Sequence, residues 1–191
     1  MPGAGKSTVA KLLKEKDFYI VNMGDIIREK AIEKNMELTD KNMGELMREL
    51  RLEHGNEIIA KLILEKVGNL KEKRYVVIDG IRSFKEFKVL SELGFVKLLA
   101  IHASPNTRYY HIKQRERSDM PPDYEKFLQR DKREMDIGIA EAIALADEAI
   151  SNNTATISEL KDIVDRIVSI WISEYGEEDI ITVSQDRRET S

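Results

Sequence analysis

The first eight residues constrain the fold more than any other part of this chain. Gly3 and Gly5 stand directly before Lys6, Ser7 and Thr8, and a helical pattern without glycine or proline follows. This is the Walker A, or P-loop, pattern G-x-x-x-x-G-K-[ST], except that its first glycine would fall one residue before the first methionine. In such loops the glycines let main-chain N–H groups surround phosphate oxygens, the lysine reaches the β- and γ-phosphates, and the first hydroxyl residue coordinates Mg²⁺.

The helix after the loop would present its positive N-terminal end to the same phosphates. A chance glycine-rich turn is the alternative, and the downstream strand that ends on an aspartate argues against it. The sequence therefore predicts a phosphate-binding loop made of Pro2, Gly3, Ala4, Gly5, Lys6, Ser7 and Thr8.

A P-loop normally follows a buried strand, and no strand precedes this one. We therefore expect Met1 to be an internal methionine of a longer protein, whose upstream residues form an apolar central strand. Burying four such side chains is worth roughly 6–12 kcal/mol, which is comparable with the whole stability of about 5–15 kcal/mol that a domain has. The chain as given is expected to be marginal or insoluble, and the upstream codons are expected to restore folding.

Beyond the loop, short apolar or β-branched runs alternate with helical patterns. The predicted strands are 18–21, 75–79, 97–102 and 147–152. The predicted helices are 9–16, 25–34, 41–52, 58–67, 83–93, 105–117, 124–135, 140–146 and 157–172. This alternation indicates an α/β fold with a parallel sheet and helices on both faces.

Composition narrows the class of protein further. The chain has 191 residues, a net charge of -4 and no cysteine, which excludes disulfides and thiolate metal sites. Three scattered histidines argue against a zinc site, and the mild acidity argues against general nucleic-acid coating. No apolar run approaches the roughly 18 residues that cross a bilayer. We predict a cytoplasmic protein with one domain over residues 1–173 and a polar tail over 174–191.

The strand at 75–79 ends on Asp79, directly before Gly80. A P-loop site needs an acidic group on a neighbouring strand to hold Mg²⁺ or its water shell, so Asp79 is predicted to be a metal ligand together with Ser7. An aspartate that starts a turn is the simpler alternative. Arg82 follows at the carboxyl edge of the strand, where ligands bind in open α/β sheets, and is predicted to bind substrate phosphate.

Asp25 and Arg28 follow the first predicted strand, at the same edge of the sheet. Their i, i+3 spacing puts them on one helical face, where they contact an acceptor or form an exposed ion pair. A phosphate acceptor is already ionised and needs no base. A hydroxyl acceptor benefits from a carboxylate near the attacking oxygen, which makes Asp25 a candidate catalytic residue.

Basic residues are concentrated at 108–117 and again at 130–133, on the two sides of a Pro-Pro break. Two basic helices joined by a breaker are typical of a lid that closes over a polyphosphate and neutralises the transferred group. We predict a lid over about 105–137, with Arg115 and Arg117 as catalytic residues beside Lys6. Because acidic residues are interleaved, a solvated helix face is the alternative.

These motifs, in this order, resemble those of P-loop kinases of the adenylate kinase and dephospho-CoA kinase group. The chain carries PGAGKST, MGDIIR, DGIRS, RERSD, RDKRE and ADEAISNN. It resembles still more closely the archaeal adenylate-kinase-related proteins of the UPF0200 family, in which MPGSGKS, DGxRS, RxRSD, RDxRE and ADxxIxN recur. The resemblance runs from residue 1 to about residue 172.

The resemblance implies a P-loop fold with a five-stranded parallel sheet in 2-3-1-4-5 order, whose first central strand is missing from this chain. It implies ATP with Mg²⁺ at the loop, an acceptor-binding helical segment over about 24–69, and a mobile lid. It also implies that Lys6, Ser7 and Thr8 hold phosphates and metal, while Asp25 and Arg28 line the acceptor side. Arg82 departs from the D-G-F-P-R stretch of true adenylate kinases, because it comes one residue earlier and without proline.

The sequence thus predicts a kinase that transfers the γ-phosphoryl group of ATP to a nucleotide or nucleotide-like small molecule. The alternative is an ATP-binding switch or assembly factor that binds protein or RNA and hydrolyses ATP slowly. ATP consumption that protein or RNA stimulates without an acceptor would favour the switch. A burst of ADP on addition of one small metabolite would favour the kinase.

Overall fold

The computed structural model describes residues 1–68, 70, 75–114 and 121–186. The chain forms two compact units, Met1–Asn153 and Thr154–Ser191. The division falls at Asn153, whereas the sequence predicts one domain that reaches residue 173. In the described part of the chain, no helix has the length and apolar character that a membrane span needs.

The first unit alternates strands and helices along the chain, as the sequence predicts. Its described strands are β1 (Tyr19–Asn22), β2 (Val76–Asp79), β3 (Leu99–His102) and β4 (Glu148–Ser151). Its described α-helices are α1 (Lys6–Lys14), α2 (Met23–Glu33), α3 (Asp40–His54), α4 (Ile58–Gly68), α5 (Phe84–Leu90), α6 (Pro105–Lys113), α7 (Tyr124–Ile137) and α8 (Ile139–Ala144). The second unit contains α9 (Ile157–Asp186).

The described strands form two parallel pairs. β1 pairs with β2, in a register that sets Asn22 opposite Asp79, and β3 pairs with β4, in a register that sets His102 opposite Ser151. The predicted order 2-3-1-4-5 counts the missing central strand as strand 1, so β1 and β2 are its strands 2 and 3, and β3 and β4 are its strands 4 and 5. Both predicted pairings are present, and the order between the two pairs stays a prediction. Because both strands of each pair run in the same direction, their carboxyl ends lie at one edge, where polar residues follow.

Several of the described helices begin at a residue whose side chain caps them. Thr39, Ser83, Ser104 and Asp123 each accept a hydrogen bond from a main-chain N–H in the first turn of the following helix. The cap at Ser83 shortens the helix predicted over 83–93, and Ser91–Leu93 continues it as a 3-10 turn. The caps at Ser83 and Ser104 fix the start of α5 after β2 and of α6 after β3, at the edge of the strand that precedes each helix.

Apolar residues of the helices after β1 form the main core of the first unit. Ile27, Leu46 and Ile63 are fully buried there, and burying each such side chain is worth about 1.5–3 kcal/mol. The buried members of this core are Val21, Met23, Ile26, Ile27, Ala31, Leu46, Leu50, Ile59, Ala60, Ile63 and Leu90. The core packs α2 against β1 and therefore fixes the point at which the chain passes directly from Asn22, the end of β1, into Met23, the start of α2.

The last helix is longer than the sequence predicts. We expected it to end at residue 172, with a frayed polar tail from Glu174, but the helical backbone continues to Asp186. The added segment contains no proline, and Gly176 alone costs only about 1 kcal/mol relative to alanine. The low hydrophobicity of the segment after residue 172 therefore does not mark the end of this helix.

Candidate functional site

Two glycines give the loop before α1 its shape. Gly3 has a φ of 78° and Gly5 a φ of 106°, a region that residues with a Cβ rarely adopt. Gly5 is the N-cap of α1 and has no side chain that would occupy the first N–H groups of the helix. A helix that starts in this way presents its N–H groups to an anion.

The same glycines are required by the packing around the loop. A Cβ on Gly3 would stand 2.5 Å from the main-chain oxygen of Arg108, and a Cβ on Gly5 would stand 2.3 Å from Nδ2 of Asn152. The first neighbour is main chain and cannot rotate away. The motif glycines thus allow α6 and the end of β4 to pack directly against the loop.

The side chain of Lys6 lies back against the start of the loop. Its Nζ donates to the main-chain oxygen of Met1 at 2.9 Å. Burial, together with the positive charges of Lys6 and Arg108, lowers the pKa of the Met1 amino group to about 5, against the raising effect of Glu134 and Asp131. The cationic groups that surround the loop favour a negatively charged ligand.

Asp79 is oriented by a residue on the neighbouring strand. Asn22 Nδ2 donates to Asp79 Oδ2 at 3.2 Å, while Asn22 Oδ1 accepts from the main-chain N–H of Gly24 at 2.8 Å. One amide thus holds the carboxylate and caps α2. Asp79 and Ser7 line one cleft, and a hydroxyl and a carboxylate, with phosphate and water completing the shell, fit the preferences of Mg²⁺.

A cleft of about 200 Å³ opens beside the loop. Pro2, Gly3, Lys6 and Ser7 line it from the loop, whereas Ala4 is fully buried behind it. The charged side chains of its wall are Lys6, Arg28, Asp79, Arg82, Arg130 and Glu134. Among the residues that the structure describes, four cations against two carboxylates make the cleft suitable for a polyanion larger than one phosphate group.

Arg82 is held in the cleft by two carboxylates. Its Nη1 donates to Glu134 Oε1 at 2.8 Å, and its main-chain N–H donates to Glu86 Oε2 at 2.8 Å. Glu86 is fully buried and also accepts from Arg51 Nη2 at 3.1 Å. The position predicted for Arg82, at the edge after β2, is therefore fixed by partners on α5 and α7.

Asp25 and Arg28 form the ion pair that the sequence left open as an alternative. The pair is half-exposed, with 54% of the Asp25 side chain and 51% of the Arg28 side chain accessible. Arg28 lines the cleft, but Asp25 is not among its lining residues. The structure thus brings the arginine, and not the carboxylate, to the cleft.

The predicted lid contains α6 and α7, which a buried ion pair joins. Arg108 Nη1 and Nη2 donate to Asp131 Oδ1 and Oδ2 at 2.8 and 2.5 Å, and the Arg108 guanidinium lies 5.0 Å from the centre of the Phe127 ring. Arg130 and Glu134, on α7, reach the cleft wall. The predicted catalytic residues Arg115 and Arg117 lie outside the described residues.

Several residues at the site were not singled out from the sequence. Asn22 and Glu134 orient Asp79 and Arg82, and His111 and Asn152 contact the loop itself. The only sequence signal for Asn152 was its place in the stretch ADEAISNN, after the last strand. The other contacts join residues that lie more than 50 positions apart in the sequence, so no local pattern indicates them.

Comparison with known proteins agrees with the geometry of the loop. The family model described as an AAA domain matches residues 1–129. A crystal structure of TT1252 from Thermus thermophilus aligns with a TM-score of 0.61 at 19% identity and covers 91% of this chain and 93% of that chain. At this identity the match shows the P-loop α/β fold alone.

Sequence relatives cover nearly the whole chain. A UPF0200 protein from Pyrococcus abyssi is 41% identical over 85% of this chain and 89% of its own length. A UPF0200 protein from Methanocaldococcus jannaschii is 39% identical over 88% of both chains. Identity at this level over most of both chains shows that the chain belongs to the UPF0200 family, as its motifs predict. The matched family model indicates a P-loop domain of the nucleotide-binding kind over residues 1–129.

Proposed function

We propose that this chain binds ATP with Mg²⁺ at the P-loop and transfers the γ-phosphoryl group to a nucleotide or nucleotide-like acceptor that carries a phosphate. One observation carries the proposal. The same cleft contains the loop residues Lys6 and Ser7, the strand-end carboxylate of Asp79, and arginines from outside the loop. The arginines add to the positive charge of Lys6 and supply the groups that a second anionic ligand beside the triphosphate would require.

The donor side is formed by the loop and by the end of β2. Lys6 would contact the β- and γ-phosphates, and Thr8 would support the phosphates from the first turn of α1. Ser7 and Asp79 would hold Mg²⁺, which neutralises charge on the β- and γ-oxygens when it is bound. Asn22 keeps the Asp79 carboxylate directed to the cleft through the 3.2 Å hydrogen bond.

The acceptor side is formed by Arg28, Arg82 and Arg130, which come from α2, the loop after β2, and α7. Guanidinium groups match the geometry of phosphate oxygens. Holding two anionic groups in line is the main contribution a protein makes to phosphoryl transfer. Glu134 holds Arg82 in place before the acceptor arrives, so less ordering is needed on binding.

The carboxylates of the cleft favour a phosphate acceptor over a hydroxyl acceptor. Among the described lining residues, Asp79 accepts from Asn22 and Glu134 accepts from Arg82. Asp25, the candidate base, forms an ion pair with Arg28 but is not itself among the described lining residues. A phosphate oxygen is ionised at neutral pH and attacks without a base.

Replacing Asp25 by asparagine is therefore expected to change kcat with a phosphate acceptor by less than about threefold, because a missing base costs about 10²–10⁴-fold only where one is used. Steady-state kinetics with Asp25→Asn and with Asp17→Asn, at an exposed position away from the cleft, measure this. A large fall in kcat at unchanged KM, in Asp25→Asn alone, would show instead that Asp25 removes a proton from a hydroxyl acceptor.

The proposed function is tested by a screen for acceptors. The chain is incubated with Mg²⁺ and ATP, and ADP formation is followed after addition of nucleoside monophosphates, their nucleosides, or coenzyme precursors. A burst of ADP with a phosphorylated compound, absent with its nucleoside, is the expected result. ADP formation that no small molecule stimulates, but that RNA or protein does, would favour the switch over the kinase.

A further inference from the structure

We propose that Arg108, His111 and Asn152 are positioning residues that hold three consecutive main-chain oxygens of the P-loop, and thereby direct its N–H groups to the phosphates. We call these three residues the carbonyl clamp. The inference rests on the proposed nucleotide binding and adds the means by which a loop containing two glycines is kept in one conformation.

The contacts are sequential along the loop. Arg108 Nη1 donates to the oxygen of Pro2 at 3.2 Å, His111 Nδ1 lies 3.1 Å from the oxygen of Gly3, and Asn152 Nδ2 donates to the oxygen of Ala4 at 2.9 Å. A carbonyl oxygen can only accept, so Nδ1 of His111 carries the proton in this contact. Each oxygen of this segment thus has its own side-chain donor.

By holding a carbonyl oxygen, the clamp also sets the direction of the N–H group in the same peptide unit. A trans peptide is planar, with the N–H group directed opposite to the preceding carbonyl, and the loop contains no cis bond. Holding the oxygens of Pro2 and Ala4 therefore fixes the directions of the N–H groups of Gly3 and Gly5. The N–H group opposite the Gly3 oxygen is that of Ala4, which donates to the Met1 oxygen at 3.4 Å, so His111 holds the turn between those two N–H groups. Without the clamp, glycine could rotate a carbonyl toward the phosphates, where it would repel them.

The donors are themselves fixed by their surroundings. Only 3% of Arg108 and 8% of Asn152 is exposed. Arg108 also donates from Nε to the oxygen of Ala103 at 3.0 Å, and the main-chain N–H of Asn152 donates to the oxygen of His102 at 2.7 Å. None of the three clamp residues is among the described lining residues of the cleft, so they would act on a nucleotide through the loop.

The test removes one donor and restores it with an isostere. His111→Ala removes the donor to Gly3, whereas His111→Asn places an amide nitrogen where Nδ1 was. Asn152→Ala removes the donor to Ala4, and Asn153→Ala is its control, because the neighbouring side chain is exposed and contacts Ser104 and Ser151 instead of the loop. Dissociation constants for ATP and for inorganic triphosphate, each with Mg²⁺, are measured well below the melting temperature of every variant.

We expect His111→Ala and Asn152→Ala to bind ATP about three- to tenfold more weakly, and to lose the same factor for inorganic triphosphate, because the clamp acts only on phosphate contacts. His111→Asn and Asn153→Ala are expected to bind like the original chain. Unchanged affinity in folded His111→Ala and Asn152→Ala, or no recovery in His111→Asn, would overturn the clamp. A failure of the unsubstituted chain to bind ATP would overturn the proposed function itself.

Discussion

Replacing Asp131 by alanine is expected to lower the free energy of unfolding by about 3–5 kcal/mol, because the change leaves the buried Arg108 guanidinium without its carboxylate. Both partners are almost completely buried, and two hydrogen bonds join them at 2.8 and 2.5 Å. For a chain of this length the loss corresponds to a melting temperature lower by roughly 6–20 °C. Urea denaturation and calorimetry measure the change.

Two further variants separate the buried charge from other effects of the substitution. Asp136→Ala alters an exposed carboxylate on the same helix and is expected to change stability by less than about 0.5 kcal/mol. The double variant Arg108→Met with Asp131→Leu removes both charges and is expected to recover only part of the stability that Asp131→Ala loses, because the oxygens of Ala103 and Pro2 then lose the donors that Arg108 supplies. A loss below about 1 kcal/mol in Asp131→Ala would show that water or another group compensates Arg108.

Replacing Lys6 by alanine is expected to lower the rate of phosphoryl transfer by about 10²–10³-fold, the effect of removing one preorganised group that stabilises charge in the transition state. Stability should change far less than the rate, because the hydrogen bond from Nζ to the Met1 oxygen is worth about 1 kcal/mol. Turnover of the best acceptor from the screen measures the rate.

Lys11→Ala is the matched control for Lys6→Ala. Lys11 lies on the same helix α1, is exposed, and is not among the described residues that line the cleft. Lys11→Ala lowers the net charge of the chain by the same amount as Lys6→Ala but leaves the charge at the loop in place. Similar losses in the two variants would contradict the role of Lys6, since they would trace the effect to net charge.

The sequence predicted the parts of the site that depend on local chemistry. The loop glycines, Lys6 and Ser7 follow from a contiguous motif, and Asp79 follows from the end of a β-branched strand. The confirmed family membership and P-loop fold were predicted from these motifs and their order along the chain, and the pairing of β1 with β2 was implied by the family resemblance. The loop and the strand end are each decided within a few residues of chain, where residue type limits the backbone strongly.

The sequence did not predict the contacts that orient those groups. Asn152 reaches Ala4 across 148 positions, and Glu134 reaches Arg82 across 52. Either partner alone reads as an ordinary polar residue, because the signal lies in the three-dimensional pairing. The role of Asp25 stays a prediction: its local spacing to Arg28 produces an ion pair, and Asp25 is not among the described lining residues of the cleft.

The most direct test is a calorimetric titration of the chain with ATP in the presence of Mg²⁺, repeated with EDTA and with Lys6→Ala. We expect one ATP to bind per chain, with an affinity that falls strongly when EDTA removes Mg²⁺ and also in Lys6→Ala. Equal affinity for ATP in the unsubstituted chain and in Lys6→Ala, or no binding to the folded chain, would contradict this expectation.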